Sequence, residues 1–344
     1  MNNEGFDGMK LVIQLPALNE SATIGQVLDG LPKTLPGIAE IQVVVVDDGS
    51  SDGTGRIAAE RGAQVVVHDR PRGVGAAFRS GLSRSIDLLP DILVTMDADG
   101  QFNPKDIPAL IAPILAGEAD FVSASRFHDP ALEPAMPKAK RWGNGVIARW
   151  LSRMTGREFH DVSCGFRAYA RKAFLRLNPQ GDFTYTHEVF LSLAFAGLRI
   201  REVPVVVRGV REHGKSRVAG NLFRYAWQAA AIILATYRDY RPLAFFGALA
   251  AALGAPGVAA LGFLGFHWAR TGALFPYKAV GFAGGALCGA ALLVFLIGLV
   301  AAMLARVRSG LEAALLRAGE IDYRLRVAER RAEMGSPNVP APPP

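Results

Sequence analysis

Cysteine is scarce in this chain, with Cys164 and Cys288 the only two among 344 residues. No zinc-type spacing surrounds either, so a disulfide framework or a zinc module is not expected and both thiols are read as reduced and structural. No Walker A sequence occurs. The one G-x-G, Gly73 and Gly75 in PRGVGAAFRSG, follows the third strand-like run and lacks the third glycine of a dinucleotide fingerprint. P-loop and nicotinamide chemistry are therefore disfavoured. The opening residues, MNNEGFDGMK, lack the basic and apolar regions of a secretory signal. Charge is also missing, but locally: Leu243 to Phe266 and Ala279 to Ala305 contain no Asp, Glu, Lys or Arg. Each run exceeds the ~20 residues that span a bilayer core.

Half of the residues are hydrophobic, mean hydropathy is +0.21 and net charge is +7. No nucleic-acid recognition motif accompanies that charge, so nucleic acid is not an expected partner. The basic residues instead flank the apolar runs. Arg217, Arg224, Arg238 and Arg241 precede the first, and Arg306, Arg308 and Arg317 follow the second. The positive-inside rule then predicts two spans with the soluble part and both termini in the cytoplasm. Gly- and Ala-rich spans fit close helix packing or a homo-oligomer. The bilayer to which this points is the cell (inner) membrane.

The first ~125 residues alternate strand-like and helix-like patterns. Strands are expected at 10–15, 41–46, 63–68 and 92–96, and helices at 21–31 and 55–61. Continuous apolar strands separated by helices imply an α/β fold with a mostly parallel sheet, whose ligands bind beyond the carboxyl ends of its strands. The section from Asp120 to Val210 reads as more irregular. Ala219 to Tyr237 reads as an amphipathic helix suited to a membrane interface. The domain boundaries follow: 1–215 catalytic, 216–241 interfacial helix, 242–306 two spans, and 307–344 a charged helical tail with a disordered Pro-rich end.

Three polar clusters fall at strand ends. VTMDADGQF places Asp97 and Asp99 on one side of an extended segment, where like charges repel unless a cation lies between them. Two carboxylates with Gln101 beside them make a hard oxygen site for Mg²⁺ or Mn²⁺, with positions left for phosphate oxygens. In VVVVDDGSSDGT, Asp47 and Asp48 can accept hydrogen bonds from a nucleobase or ribose. PALNE sets Asn19 and Glu20 after a rigid Pro16, where Asn19 can cap a helix and Glu20 is placed for a nucleoside. Arg126, Arg141 and Arg167 suit bidentate phosphate recognition, or else pair with local acids such as Asp129 and Glu158. His213 and Lys215 in REHGKSRV read as a phosphate-sensing loop or a basic membrane flank.

PALNE, VVVVDDGSSDGT, GVGAAFRSGL, MDADGQ, SRF, DVSCGFRAY and VREHGKS occur in the order seen in family 2 glycosyltransferases of the GT-A fold. The chain most resembles the polyprenyl-phosphate, dolichol-phosphate-mannose-synthase-like members, over roughly residues 10 to 220. The resemblance implies a nucleotide-sugar donor and a polyprenyl-phosphate acceptor. By likeness, Pro16, Ala17, Asn19, Glu20, Asp47, Asp48 and Gly75 would hold the nucleoside side of the donor. Asp97, Ala98, Asp99 and Gln101 would hold the metal and donor diphosphate. Arg126, Arg141, Arg167 and Lys215 would receive the acceptor phosphate. Asp99, Arg126 and Asp161 are the expected catalytic set, with Glu188 a further candidate. Processive polysaccharide synthases share the sheet, but carry a Q-x-x-R-W motif and more spans, neither of which is found here. Transfer to a saccharide or protein hydroxyl would need a base, for which Asp161 or Glu188 is available. A nucleotide-sugar-binding membrane protein without turnover is the reading from another class.

Overall fold

The computed structural model describes residues 8–134, 136, 138–179, 185–208 and 222–335. In chain order the elements are β1 (Met9–Ala17), α1 (Ile24–Asp29), β2 (Ile38–Asp47), α2 (Thr54–Glu60), β3 (Gln64–Val67), α3 (Val74–Asp87), β4 (Ile92–Thr95) and α4 (Ile107–Leu115). There follow β5 (Phe121–Ser125), α5 (Lys138–Thr155), β6 (Arg167–Ala170), α6 (Arg171–Phe174), α7 (Thr186–Phe195) and β7 (Ile200–Pro204). Three helices complete the chain: α8 (Leu222–Tyr240), α9 (Pro242–Thr271) and α10 (Lys278–Gly335).

All four expected strands are present, within one 7-stranded sheet ordered β3-β2-β1-β4-β6-β5-β7. Among the described strands only β6 runs antiparallel, between β4 and β5, so the sheet is mostly parallel, as the GT-A resemblance implies. The side-chain period of two divides the core between its faces. Leu11, Ile13 and Leu15 of β1 pack with Val94 of β4 and with Ile107 and Leu110 of α4. Val12, on the other face, packs with Val44, Phe78, Leu93, Phe121 and Tyr169. Burial on both faces explains why these strands read as continuous apolar runs.

The expected irregular section from Asp120 to Val210 contains three strands. All three have only 4–5 residues, and β7 includes charged residues and a terminal proline, so their apolar signal is weak. Helix α1 is also shorter than expected. It begins at Ile24 with Thr23 as its N-cap, because the residues before it are drawn into a loop described below.

Two compact units make up the chain: residues up to Ile233 together with those from Leu315 onward, and Leu234–Ala314. In the second, α9 and the first part of α10 run antiparallel through small residues. A Cβ on Gly257 would meet Cys288 Sγ at 2.9 Å and the Gly284 carbonyl at 3.0 Å, so the two backbones approach as closely as glycine permits. Both helices are long and apolar enough to cross a membrane. Their most apolar windows have mean hydropathies of 1.8 and 2.7, and only 6% and 11% of those windows is buried. Phe266, Phe282, Leu293, Val300 and Leu304 are exposed.

Helix α10 continues past the second apolar run without a break. In the first unit its distal part packs on the catalytic domain, in contrast to the expected solvated or membrane-surface tail. Tyr323 is buried there, and its hydroxyl donates to the carbonyls of Leu89 and Pro90, each at 2.9 Å. The Arg171 guanidinium lies 4.7 Å from its ring centroid, and Arg326 reaches Asp87.

Candidate active site

The first two polar clusters close on each other. Asn19, in the left-handed region at φ 53°, donates its N–H to Ser50 Oγ, while its Oδ1 accepts from the Ser51 N–H. The Glu20 N–H donates to Thr54 Oγ1 and the Ser21 N–H to Asp52. Asn19 therefore ties two strand-end loops together instead of capping α1. Burial pushes the Asp52 carboxyl up, but hydrogen bonds from Thr54 and Ser21 outweigh this and hold it at about 2.

Asp47 and Asp48 are buried, and their carboxylates are engaged by protein donors. Asp47 accepts from the N–H groups of Ser50 and Gly55. Asp48 accepts from His68 Nδ1 at 2.7 Å and from the N–H groups of Arg72 and Gly73 at 2.9 Å. In this structure the two carboxylates shape the loops at these strand ends. Gly75 lies buried in the first turn of α3, just beyond the loop that Asp48 holds.

The Asp97–Ala98–Asp99 stretch follows β4 between these loops and the β6 side of the sheet. Thr23 Oγ1 donates to the Ala98 carbonyl, joining the stretch to Pro16 and Ala17 at the end of β1 through the intervening loop. Asp99 is nearly buried and accepts from the Gln101 N–H at 3.0 Å, around Gly100 at φ 72°. A Cβ on Gly165 would sit 3.0–3.1 Å from the Asp97 carboxylate oxygens, so glycine leaves room there. Gln101 donates its side-chain N–H to the Arg208 carbonyl, which fixes its amide. The Asp97 and Asp99 carboxylates and the Gln101 amide oxygen are hard oxygen donors of the kind that fits Mg²⁺ or Mn²⁺, and glycine at 165 leaves room beside Asp97.

Arg126 and Asp161 form a buried pair. Arg126 Nε and Nη2 donate to Asp161 at 2.6 and 2.9 Å, and Nη2 also donates to Ser163 Oγ at 2.7 Å. The Asp161 side chain has 0% exposure and that of Arg126 13%. Burial pushes the Asp161 carboxyl up, but the Arg126 charge and hydrogen bonds outweigh it and hold it below the usual carboxylate range. A carboxylate locked in this way orients an arginine and is poorly placed to act as the base for which it was a candidate.

Arg167 requires a correction. It is fully buried and donates to the carbonyls of Cys164, Thr186 and Val162. The rings of Phe121, Tyr185 and Phe190 surround its guanidinium, so it holds the core together and does not face an acceptor phosphate. Arg141 is exposed on α5 and pairs with Glu133 at 2.7 Å. Glu188 lies half-buried in the first turn of α7. Lys215 and His213 lie outside the described residues. Cys164 and Cys288 are free, as expected, and burial pushes the Cys164 thiol up to about 12.

The sequence reading missed Thr23, Ser163 and Glu202. Glu202 Oε1 accepts the Asp161 N–H at 2.7 Å, and the carboxylate also accepts the His160 N–H. Glu202 is the one acidic residue in β7, and an acid inside a short strand was the available signal.

Comparison with known proteins agrees with this geometry. The family model described as Glycosyl transferase family 2 matches residues 12–177. Glycosyltransferase AglJ of Haloferax volcanii is 30% identical over 82% of this chain and 90% of its own length. A dolichyl-phosphate hexose transferase of the same organism is 32% identical over 60% of this chain and 86% of its own. Among solved structures, glucosyl-3-phosphoglycerate synthase of Mycobacterium tuberculosis, in complex with Mn²⁺, UDP-glucose and phosphoglyceric acid, is 25% identical. It superposes with a TM-score of 0.53 over 67% of this chain and 80% of that one. With the sheet, the strand-end carboxylates and relatives matched over most of their length, the chain belongs to glycosyltransferase family 2.

Proposed function

We propose that this glycosyltransferase moves a sugar from a UDP- or GDP-sugar to polyprenyl phosphate at the cytoplasmic face of the inner membrane, with inversion. The observation that carries this reading is the Arg126–Asp161 pair. The best candidate base is committed to an arginine, which favours an acceptor that arrives already anionic over a hydroxyl. A phosphate oxygen attacks an anomeric carbon without deprotonation, whereas a hydroxyl acceptor requires a base. The likeness to a dolichyl-phosphate hexose transferase supports the same acceptor class.

In this reading the loops joined by Asn19, Glu20 and Asp52 enclose the nucleoside. Asp97, Asp99 and Gln101 hold the divalent cation, which when bound supplies charge stabilisation to the leaving diphosphate. Arg126, held by Asp161 and Ser163, meets the acceptor phosphate and aligns it opposite the leaving group. Arg141 reaches the same phosphate by exchanging it for Glu133. Helices α9 and α10 span the bilayer, and α8 lies at its interface with Trp227 exposed. Confining enzyme and acceptor to one surface raises their effective concentration.

The test is to incubate purified full-length protein with undecaprenyl phosphate, Mn²⁺ or Mg²⁺ and a panel of UDP- and GDP-sugars, and to analyse the lipid fraction by mass spectrometry. One nucleotide sugar should give a sugar–phosphate–lipid, and Asp99→Ala should abolish that product while leaving the protein folded and membrane-bound. Full activity of Asp99→Ala, or nucleotide release with no lipid product from any donor, would overturn the proposal.

A further inference from the structure

We infer that His128, His160 and Glu202 form a second divalent-metal site of the zinc class, separate from the Asp97–Asp99 pair. One ligand atom from each residue lies within 4.8 Å of the others. The ring nitrogens His128 Nδ1 and His160 Nδ1 face each other at 3.3 Å, and His160 Nδ1 lies 2.9 Å from Glu202 Oε2.

Proton counting makes this arrangement unusual. An ionised carboxylate only accepts, and a neutral imidazole nitrogen carries either a proton or a lone pair. If His160 Nδ1 donates to Glu202, the same proton must also serve His128. If His128 donates to His160 instead, the His160 lone pair confronts the carboxylate. A divalent cation satisfies all three lone pairs together. With Zn–N bonds of about 2.0–2.1 Å in tetrahedral geometry, neighbouring ligand atoms stand about 3.3 Å apart, the separation of the two imidazole nitrogens, and the 2.9 Å His160–Glu202 contact would open slightly.

The surroundings hold the ligands in place. The Glu202 carboxylate is fixed by the backbone N–H groups of His160 and Asp161. Behind His160, its Nε2 lies 3.8 Å from Glu158, the side from which carboxylates orient metal-bound imidazoles. Two histidines and a carboxylate leave a fourth position for water. The cation would fasten the loop after β5, which carries Arg126, to β7 and to the loop carrying Asp161. A loop 35 residues away in sequence would thereby be joined to the one that places the arginine.

The test uses full-length protein without a polyhistidine tag, stripped with chelator and dialysed against Zn²⁺, with Co²⁺ as a spectroscopic probe. No donor sugar is present, so the result is independent of the transfer reaction. The expected result is one tightly held Zn²⁺ per chain and a four-coordinate Co²⁺ spectrum, both retained in Asp99→Ala. In His128→Ala, whose side chain is exposed and whose removal leaves the core intact, affinity should fall at least ~10–100-fold, the loss that even outer-shell changes bring. His160→Ala should behave likewise. Absence of Zn²⁺ above background in the wild type, or unchanged affinity in His128→Ala, would overturn the site.

Discussion

Replacing Asp161 with leucine removes an anion with no solvent exposure and strands the Arg126 guanidinium. Five hydrogen bonds end on that carboxylate, from Arg126 Nε, Nη2 and N–H and from Ser163 N–H and Oγ. Removing one partner of a buried pair costs about 3–5 kcal/mol, because the other charge is left uncompensated. For a domain of this size each kcal/mol shifts Tm by about 2–4 °C, so the catalytic domain should melt about 6–20 °C lower. Arg126→Met should also destabilise, and Arg126→Met/Asp161→Leu should cost less than the two changes summed, with a coupling of about 1–3 kcal/mol. The assay is thermal unfolding of the purified full-length protein, at low salt and at high salt. Since the pair is buried, salt should change the result little. A loss below about 1 kcal/mol for Asp161→Leu, or strict additivity in the double variant, is the behaviour of an exposed pair. Either outcome would refute the claim that Asp161 exists to hold Arg126.

Gly165→Ala would bring a methyl group within 3.0–3.1 Å of the Asp97 carboxylate oxygens; Mn²⁺ affinity and transfer rate should fall together, while thermal stability stays within about 1 kcal/mol. Tyr323→Phe leaves the buried Leu89 and Pro90 carbonyls without their phenolic donor; a loss of about 1–3 kcal/mol should appear as faster hydrogen exchange at the end of α3 and in the distal part of α10. Asp52 titrates lower folded, at about 2, than its ordinary value of 3.8, so its contribution is present above pH 3.8 and disappears as pH falls toward 2. Asp52→Asn should flatten the stability–pH curve across that window, and an unchanged curve would contradict the loop closure drawn from Ser21 and Thr54.

Strands β1 and β4 were legible because their residues are buried on both faces, and β2 and the edge strand β3 because each still reads as a β-branched run. Strand β6 was not, because its order in the sheet depends on pairing with β4 and β5 from distant parts of the chain. The Asp97–Asp99 pair could be read locally, since one strand end places both carboxylates. The pairing of Arg126 with Asp161 spans 35 residues and no local pattern encodes it. Arg167 misled for a related reason. An arginine in a polar motif resembles a phosphate ligand until the carbonyls and rings that enclose it are known. The Tyr323 contact, across 234 residues, lies in a helix whose charged composition reads as solvated.

The choice of acceptor tests the role of Asp161 most directly. Initial rates should be measured with undecaprenyl phosphate and with undecaprenol, at equal concentration in the same detergent, using the nucleotide sugar selected by the donor panel. Transfer to the phosphate and none to the alcohol is expected, because Asp161 is committed to Arg126 and the attacking oxygen must already carry its charge. Comparable transfer to undecaprenol would show that a base operates in this site, and would contradict the assignment.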